Sequence, residues 1–468
     1  MGRDRRWSPI QLGYAAKPWW KFERLQRFSG VLVPICRHFY PVGADVAPPA
    51  DIDALAQWME RWGLLPSGLP RAGARRLLEA LASSPVETIK AEGIPDRASS
   101  EILRLPAEWE PSEAVVITWP VLYPGFWDFY RDLVTAIAPV ARVDVLIPHA
   151  IYALAVLAYL GEGWHGDRRL RLMVTASDDI WIRDYGPLTC IDESSRRVMV
   201  DAVFDPPEML FANDDSFPVR YAAHLGCSSR QLALHLEGGN LWSDGEGTLI
   251  TTHALYARNA PMPRDDVRRQ LLAGFGAETL IVVPPLRMEG TGHIDVFAKL
   301  ATSDTVLVTE PRSIVNGRRA AEVAEVLRAS RNAAGSAYRV VALPSVPAYC
   351  NWGVSRIWPT YTNALTVNHR VLVPTYGFPE RDAAALAVYR QAMPDHEIIG
   401  IDARTAANAG GAVHCLTMQI PADPGAIHPA EAGGELADSA PSPPQPGPSP
   451  QPARPSAWRS GTRVAPAT

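Results

Sequence analysis

The sequence predicts an α/β fold, and three observations carry that reading. Short runs rich in β-branched residues recur between Glu101 and Pro421, with helical patterns between many of them. The chain holds no GxxxxGK[ST] loop, and its one GxGxxG match, Gly161–Gly166, follows the apolar run Ile151–Leu160 rather than a β-branched run, so the alternation is not that of a dinucleotide-binding or P-loop fold. The 468 residues are 47% hydrophobic and 20% charged, which is globular composition.

The elements follow in order. Residues 1–100 form an extension with two amphipathic helical patterns, Asp51–Gly63 and Arg71–Ser84, set apart by proline-rich punctuation. Residues 101–421 carry the alternating pattern. Strands are expected at Ala114–Thr118, Val143–Ile147, Leu172–Thr175, Val198–Phe204, Thr248–Thr252 and Leu280–Val283. More follow at Val306–Thr309, Arg339–Ala342, Ala364–Val367, Val371–Pro374 and Val413–Gln419. Helical spacing appears at Pro124–Ile137, Arg264–Phe275, Arg318–Ser330 and Glu380–Met393. No fixed-period repeat is visible. Residues 422–468 turn rich in Pro, Ser, Gly and Ala, a composition too poor in large aliphatics to offset ordering entropy, and are expected to be a disordered tail.

Composition excludes several function classes. A net charge of −5 argues against nucleic acid as a default partner. The longest apolar run, near Ile151–Leu160, is about half of what a membrane span needs, so no membrane is expected. The N-terminus lacks the apolar stretch of a signal peptide. The five cysteines, Cys36, Cys190, Cys227, Cys350 and Cys415, form no CxxC pair, so neither a four-thiolate zinc site nor a disulfide framework is expected. A cytoplasmic protein fits best.

Four segments are unlike scaffold. Asp178-Asp179-Ile180-Trp181-Ile182-Arg183-Asp184-Tyr185-Gly186-Pro187 clusters charge after a strand and ends in a turn. A solvated, charge-paired loop would look the same. Leu236-Glu237-Gly238-Gly239-Asn240 places paired glycines after an acid, allowing close backbone approach to a ligand or a plain sharp turn. Gly292-His293-Ile294-Asp295, if extended, puts His293 and Asp295 on one face, suited to proton transfer near neutral pH or to a structural pair. The fourth segment, Gly410-Gly411-Ala412-Val413-His414-Cys415, leads glycines into an apolar strand with one cysteine. That cysteine is either a small hydrophobe or a nucleophile. Strand neighbours point to opposite faces, so His414 is a poor proton-transfer partner for Cys415 and His293 a better one.

Taken together the segments resemble the agmatine deiminase and bacterial-type peptidylarginine deiminase family of guanidino-group-modifying enzymes. The resemblance rests on Leu105-Pro106-Ala107-Glu108-Trp109-Glu110-Pro111, on DxWxRDxGP at Asp179–Pro187 and on LEGGN at Leu236–Asn240. GHxD at Gly292–Asp295 and HCxTxQxP at His414–Pro421 complete the set. The motifs run in the family's order over about 320 residues, roughly two-thirds of the chain.

The resemblance implies a pseudo-fivefold α/β propeller, an active site in its central channel, and no metal or other cofactor. It also implies roles. A guanidinium is a permanent cation with five N–H donors, and carboxylates grip it through charge-assisted pairs. Asp179 and Asp295 would hold its nitrogens, while Glu237 would contact it or orient His293. Cys415 would attack the central carbon to give an amidino-thioether, and His293 would protonate the departing nitrogen and then activate water. Trp181, Gly239 and Asn363 stand at family positions near the substrate site, and Arg183 either stays structural or reaches a substrate carboxylate.

The implied substrate is a small cationic guanidine or an arginine-containing peptide, in putrescine metabolism or protein citrullination, and an oligomer is compatible with the sequence. Agmatine, peptidyl arginine and other alkylguanidines remain open at this stage. So do an amidinotransferase sharing the thioether, a non-catalytic guanidine-binding protein, and a zinc hydrolase using His293, Asp295 and Glu237.

Overall fold

The apolar runs of the sequence pair into small sheets, each closed on its flank by a helix. This is seen in a computed structural model that describes residues 47–66, 69–90, 102–204, 211–287, 289–310, 316–351 and 355–423. Cys36 and all of the expected proline-rich tail but Ala422 and Asp423 lie outside the described residues.

One unit recurs five times among the described residues. A strand turns back in an antiparallel hairpin, the second strand feeds a helix, and the helix returns a third strand parallel to the second. Leu188–Asp192, Arg197–Val203, the helix Phe217–Leu225 and Ser228–His235 make one such unit. Trp242–Ser243, Thr248–Thr252, the helix Arg264–Phe275 and Thr279–Val283 make the next. Ala298–Thr302, Thr305–Thr309, the helix Gly317–Ala329 and Arg339–Leu343 follow. Leu365–Val367, Arg370–Thr375, the helix Pro379–Ala392 and Glu397–Asp402 form the fourth.

The fifth is built from both ends of the pattern. Met418–Pro421 lies antiparallel to Ser112–Thr118, which pairs in parallel with Arg142–Ile147 after the helix Trp127–Ile137. A further helix, Ile151–Leu160, and strand, Leu170–Val174, widen this sheet. Strands flanked on both sides read as continuous apolar runs, and Ser112–Thr118 is buried at all but one position.

The two expected N-terminal helices form at Ile52–Trp62 and Arg71–Leu81. Asp51 caps the first by accepting the Ala54 N–H, and Gly63 ends it in a left-handed conformation. Leu55, Ala56 and Met59 turn inward against the same core as Trp127, Tyr152 and Val156. None of the described helices is long and apolar enough to cross a membrane.

The expected strand Val413–Gln419 is shorter than its pattern. His414–Leu416 is a 3-10 turn and the strand begins at Met418. Likewise, Ile294–Val296 is a 3-10 turn rather than extended chain. Both corrections share one cause: the segment just ahead of each unit's first strand coils so that its side chains turn inward.

Candidate active site

That pre-strand position recurs, and it supplies the site. Ile182–Tyr185 precedes the strand Leu188–Asp192, Gly238–Asn240 precedes Trp242–Ser243, and Ile294–Val296 precedes Ala298–Thr302. Asn363 stands just ahead of Leu365–Val367, and His414–Leu416 ahead of Met418–Pro421. Five separate turns thereby deliver Asp184, Glu237 with Gly239, His293 with Asp295, Asn363, and Cys415.

Cys415 and His293 line one cavity of about 720 Å³, counting space open to solvent. Asp184 and Asn363 line it with them, and its apolar walls include Trp181, Val296, Trp358 and Tyr376. Asn363 is a clasp at its floor. Its Oδ1 accepts the backbone N–H groups of Ala412 at 3.1 Å and Cys415 at 3.2 Å, which fixes which end of the amide is oxygen. Its Nδ2 then donates to Asp295 Oδ2 at 3.0 Å and to Cys415 Sγ at 3.1 Å. The thiol lies 3.7 Å from Asp295 Oδ2. Burial, followed by the negative charge of Asp295 and Asp184, pushes the Cys415 thiol well above its ordinary range, against the opposing hydrogen bonds from Ala412 and Asn363.

Gly239 shows where these groups point. A Cβ built on it would lie 2.7 Å from His293 Nδ1, 2.9 Å from Asp184 Oδ1 and 3.1 Å from Asp295 Oδ2. One imidazole nitrogen and two carboxylate oxygens therefore pack against Gly239 so closely that only a residue without a side chain fits between them. Gly411 plays a similar part beside the sulfur, where a Cβ would strike the Trp181 ring at 2.2 Å and Cys415 Cβ at 2.9 Å.

His293 is held from behind. Its Nε2 lies 2.7 Å from Glu237 Oε2, and Glu237 Oε1 accepts Arg258 Nη2 at 2.7 Å. Both carboxylate oxygens of Glu237 are thus engaged, one by the imidazole and one by the Arg258 guanidinium. Of the two roles left open for it, this geometry brings out orientation of His293 rather than contact with a ligand.

Two sequence-derived assignments change, Asp179 and His414, and a third, Arg183, narrows to one of its two roles. Asp179 is not among the residues lining the cavity; its carboxylate accepts the Ile180 N–H at 2.7 Å, and the acid facing His293 is Asp184, 3.4 Å from Nδ1. The cause is the short helix Ile182–Tyr185, which swings Asp184 inward and leaves Asp179 ahead of the turn. Arg183, left open between a structural role and a substrate carboxylate, is engaged by the protein itself. Its Nε donates to the His414 carbonyl at 3.3 Å and its Nη2 to Gln419 Oε1 at 2.5 Å, so it braces the turn that carries Cys415. His414, expected on the far face of a strand, is buried in the cluster with Nδ1 2.8 Å from Asp295 Oδ2.

Sequence reasoning also passed over Glu108 and Lys299, a buried ion pair beneath the site. Burial would raise the Glu108 carboxyl, but Lys299, His414 and Arg183 outweigh it and hold the group below the usual carboxylate range. Glu108 lies within the quoted LPAEWEP segment, so a signal existed there; Lys299 sits in an otherwise apolar strand and had none. No cluster of three or more His, Cys, Asp or Glu placed to hold a metal ion occurs among the described residues.

Known proteins are similar to this chain over about two thirds of its length. Residues 104–421 match the profile of the Porphyromonas-type peptidyl-arginine deiminase family. The agmatine deiminase of Stutzerimonas stutzeri strain A1501 is 28% identical over 351 residues, covering 68% of this chain and 95% of that relative. Among solved structures, a Porphyromonas gingivalis protein described as a candidate arginine deiminase superposes with a TM-score of 0.60 at 30% identity, over 68% of this chain and 98% of its own. The agmatine deiminase of Enterococcus faecalis gives a TM-score of 0.63 at 20% identity, over 70% of this chain and 99% of its own.

Proposed function

Because this chain belongs to the Porphyromonas-type peptidyl-arginine deiminase family, and is by that membership a hydrolase of guanidino groups, we propose that it converts an alkylguanidinium to a ureido product and ammonia through a covalent adduct on Cys415. The observation that carries the reading is the convergence above Gly239 of His293 Nδ1, Asp184 Oδ1 and Asp295 Oδ2, beside the Cys415 thiol.

A guanidinium offers N–H donors in a planar fork, and two carboxylates on one point match that fork. Asp184 and Asp295 take its nitrogens, with Asp295 Oδ1 lacking a hydrogen-bond partner among the described residues. The alkyl chain runs along the apolar wall of Trp181, Val296, Trp358 and Tyr376.

The arriving cation offsets the anions that hold the thiol protonated, so substrate itself favours the thiolate. The thiol gives its proton to Nδ1 of His293, sulfur attacks the central carbon, and as the carbon–nitrogen bond breaks that proton passes to the departing nitrogen, which leaves as ammonia. The emptied nitrogen position then takes water, which gives a proton back to His293 as its oxygen attacks the amidino carbon and expels the sulfur. Glu237, itself held by Arg258, keeps the imidazole turned so that Nδ1 and not Nε2 faces the substrate. The neutral ureido product no longer pairs with Asp184 and Asp295, which favours its release.

The five recurring units and the inward pre-strand turns support a pseudo-fivefold propeller with the site in its channel, and the catalytic domain is assigned to residues 101–421. Ammonia release by the purified chain from agmatine, free arginine, and peptides with internal or C-terminal arginine tests the reading and ranks its substrates. Release from at least one of them is expected, and release from none would overturn it.

A further inference from the structure

Behind the reacting groups runs a line of buried polar side chains that the reaction as written does not use. Lys299, fully buried, bonds Glu108 Oε2 and donates to the Ala364 carbonyl at 3.0 Å. Glu108 turns its other oxygen to His414 Nε2 at 3.3 Å. His414 closes the line, with Nδ1 2.8 Å from Asp295 Oδ2 and its ring 4.7 Å from that of Trp242. Asp295 Oδ2 is the same oxygen that receives Asn363 and faces the sulfur of Cys415. Burying ionisable groups costs several kcal/mol each before pairing, and apolar residues would fill the volume at least as stably. The arrangement therefore invites a role beyond packing.

We propose that His414 is a positioning residue: its Nδ1–H holds Asp295 Oδ2 between Cys415 and Asn363 and so sets the plane in which Asp295 meets the guanidinium. The proposal rests on the deiminase reading above. Glu108, fixed by Lys299, stops the ring from turning away. A positioned carboxylate matters here because a misplaced partner of a reacting group forfeits much of the benefit of preorganisation.

Two isosteric amides separate this role from packing. In His414→Asn the side-chain amide nitrogen takes the place of Nδ1 and keeps the bond to Asp295; in His414→Gln it takes the place of Nε2 and keeps only the contact with Glu108. Both lose the ring against Trp242 alike. For the full chain, kcat of the Asn variant is expected within about tenfold of wild type, and that of the Gln variant about ten- to a hundredfold below the Asn variant, the worth of a hydrogen bond to a charged group. Iodoacetamide labelling of Cys415, which needs no turnover, is expected to run several-fold faster in the Gln variant, because a loosened Asp295 repels the thiolate less.

Equal losses and equal labelling in the two variants, or better function in Gln than in Asn, would overturn the proposal. Should neither variant fold, a crystal structure of the Cys415→Ser chain grown with agmatine decides, whether or not agmatine is seen. Asp295 Oδ2 bonded to His414 Nδ1 is expected, and an imidazole turned away from Asp295 would refute the role. Failure of the wild-type chain to release ammonia from any guanidine would defeat the deiminase reading, while the labelling comparison would still decide His414.

Discussion

Asn363 holds Cys415 at two points at once, taking its backbone N–H on Oδ1 at 3.2 Å while giving its own Nδ2–H to the sulfur at 3.1 Å. Replacing it by Leu leaves the buried N–H groups of Ala412 and Cys415 without their acceptor, at a cost of roughly 1–3 kcal/mol each. Asn363→Leu should therefore lower both thermal stability and turnover. Calorimetry beside an ammonia assay checks this, and an unchanged melting temperature would show that the clasp does not hold.

Gly239→Ala places a methyl group on the point where His293, Asp184 and Asp295 converge. The expected result is a loss of at least about a hundredfold in kcat/KM, since the methyl displaces the imidazole and carboxylates that must meet the fork, which is some 2.7 kcal/mol of lost transition-state binding. The melting temperature should fall as well, because the methyl meets buried His293, Asp184 and Asp295 at 2.7–3.1 Å and something must shift. Steady-state kinetics and a melting curve test the two halves.

The two acids of the DxWxRD segment should behave differently. Asp184→Asn removes one partner of a desolvated charge pair, worth about 2–5 kcal/mol, or roughly thirty- to several-thousand-fold in kcat/KM. Asp179→Asn keeps an oxygen for the Ile180 N–H and should stay within about fivefold of wild type. Kinetics of the pair that ranked them in reverse would return Asp179 to the substrate.

Much of this was legible before any coordinates. The α/β alternation, both N-terminal helices and the turn bearing Glu237 and Gly239 follow from apolar periodicity and from glycines set beside an acid, whereas the same signals put Cys415 and His293 on extended chain. The fivefold recurrence was hidden, because its strands repeat a topology and not a spacing: Trp242–Ser243 is only two residues long, and the buried Lys299 breaks the apolar pattern of its strand. The choice between Asp179 and Asp184 was also out of reach. Both acids lie in one charged stretch, and only the single helical turn Ile182–Tyr185 decides which faces inward. His414 was misjudged for the same reason, since strand alternation does not apply inside a 3-10 turn.

The free thiol should be sluggish. Its raised value means that the neutral form dominates at neutral pH and that thiolate accumulates only as pH climbs toward that value. Iodoacetamide labelling of Cys415 without substrate should accordingly rise with pH and still be rising at about pH 9, past the ordinary thiol range. Added guanidinium ion should quicken it at fixed pH unless it blocks access, and peptide mapping reads the site. A plateau near neutral pH would mean a thiolate already formed in the empty site.

The most direct measurement is acid quenching of the enzyme during turnover of a substrate that releases ammonia, followed by mass mapping of the trapped adduct. The account predicts an added mass equal to the substrate less ammonia, carried on Cys415, and neither adduct nor turnover in Cys415→Ser. Ammonia released at near-normal rate by Cys415→Ser would contradict it.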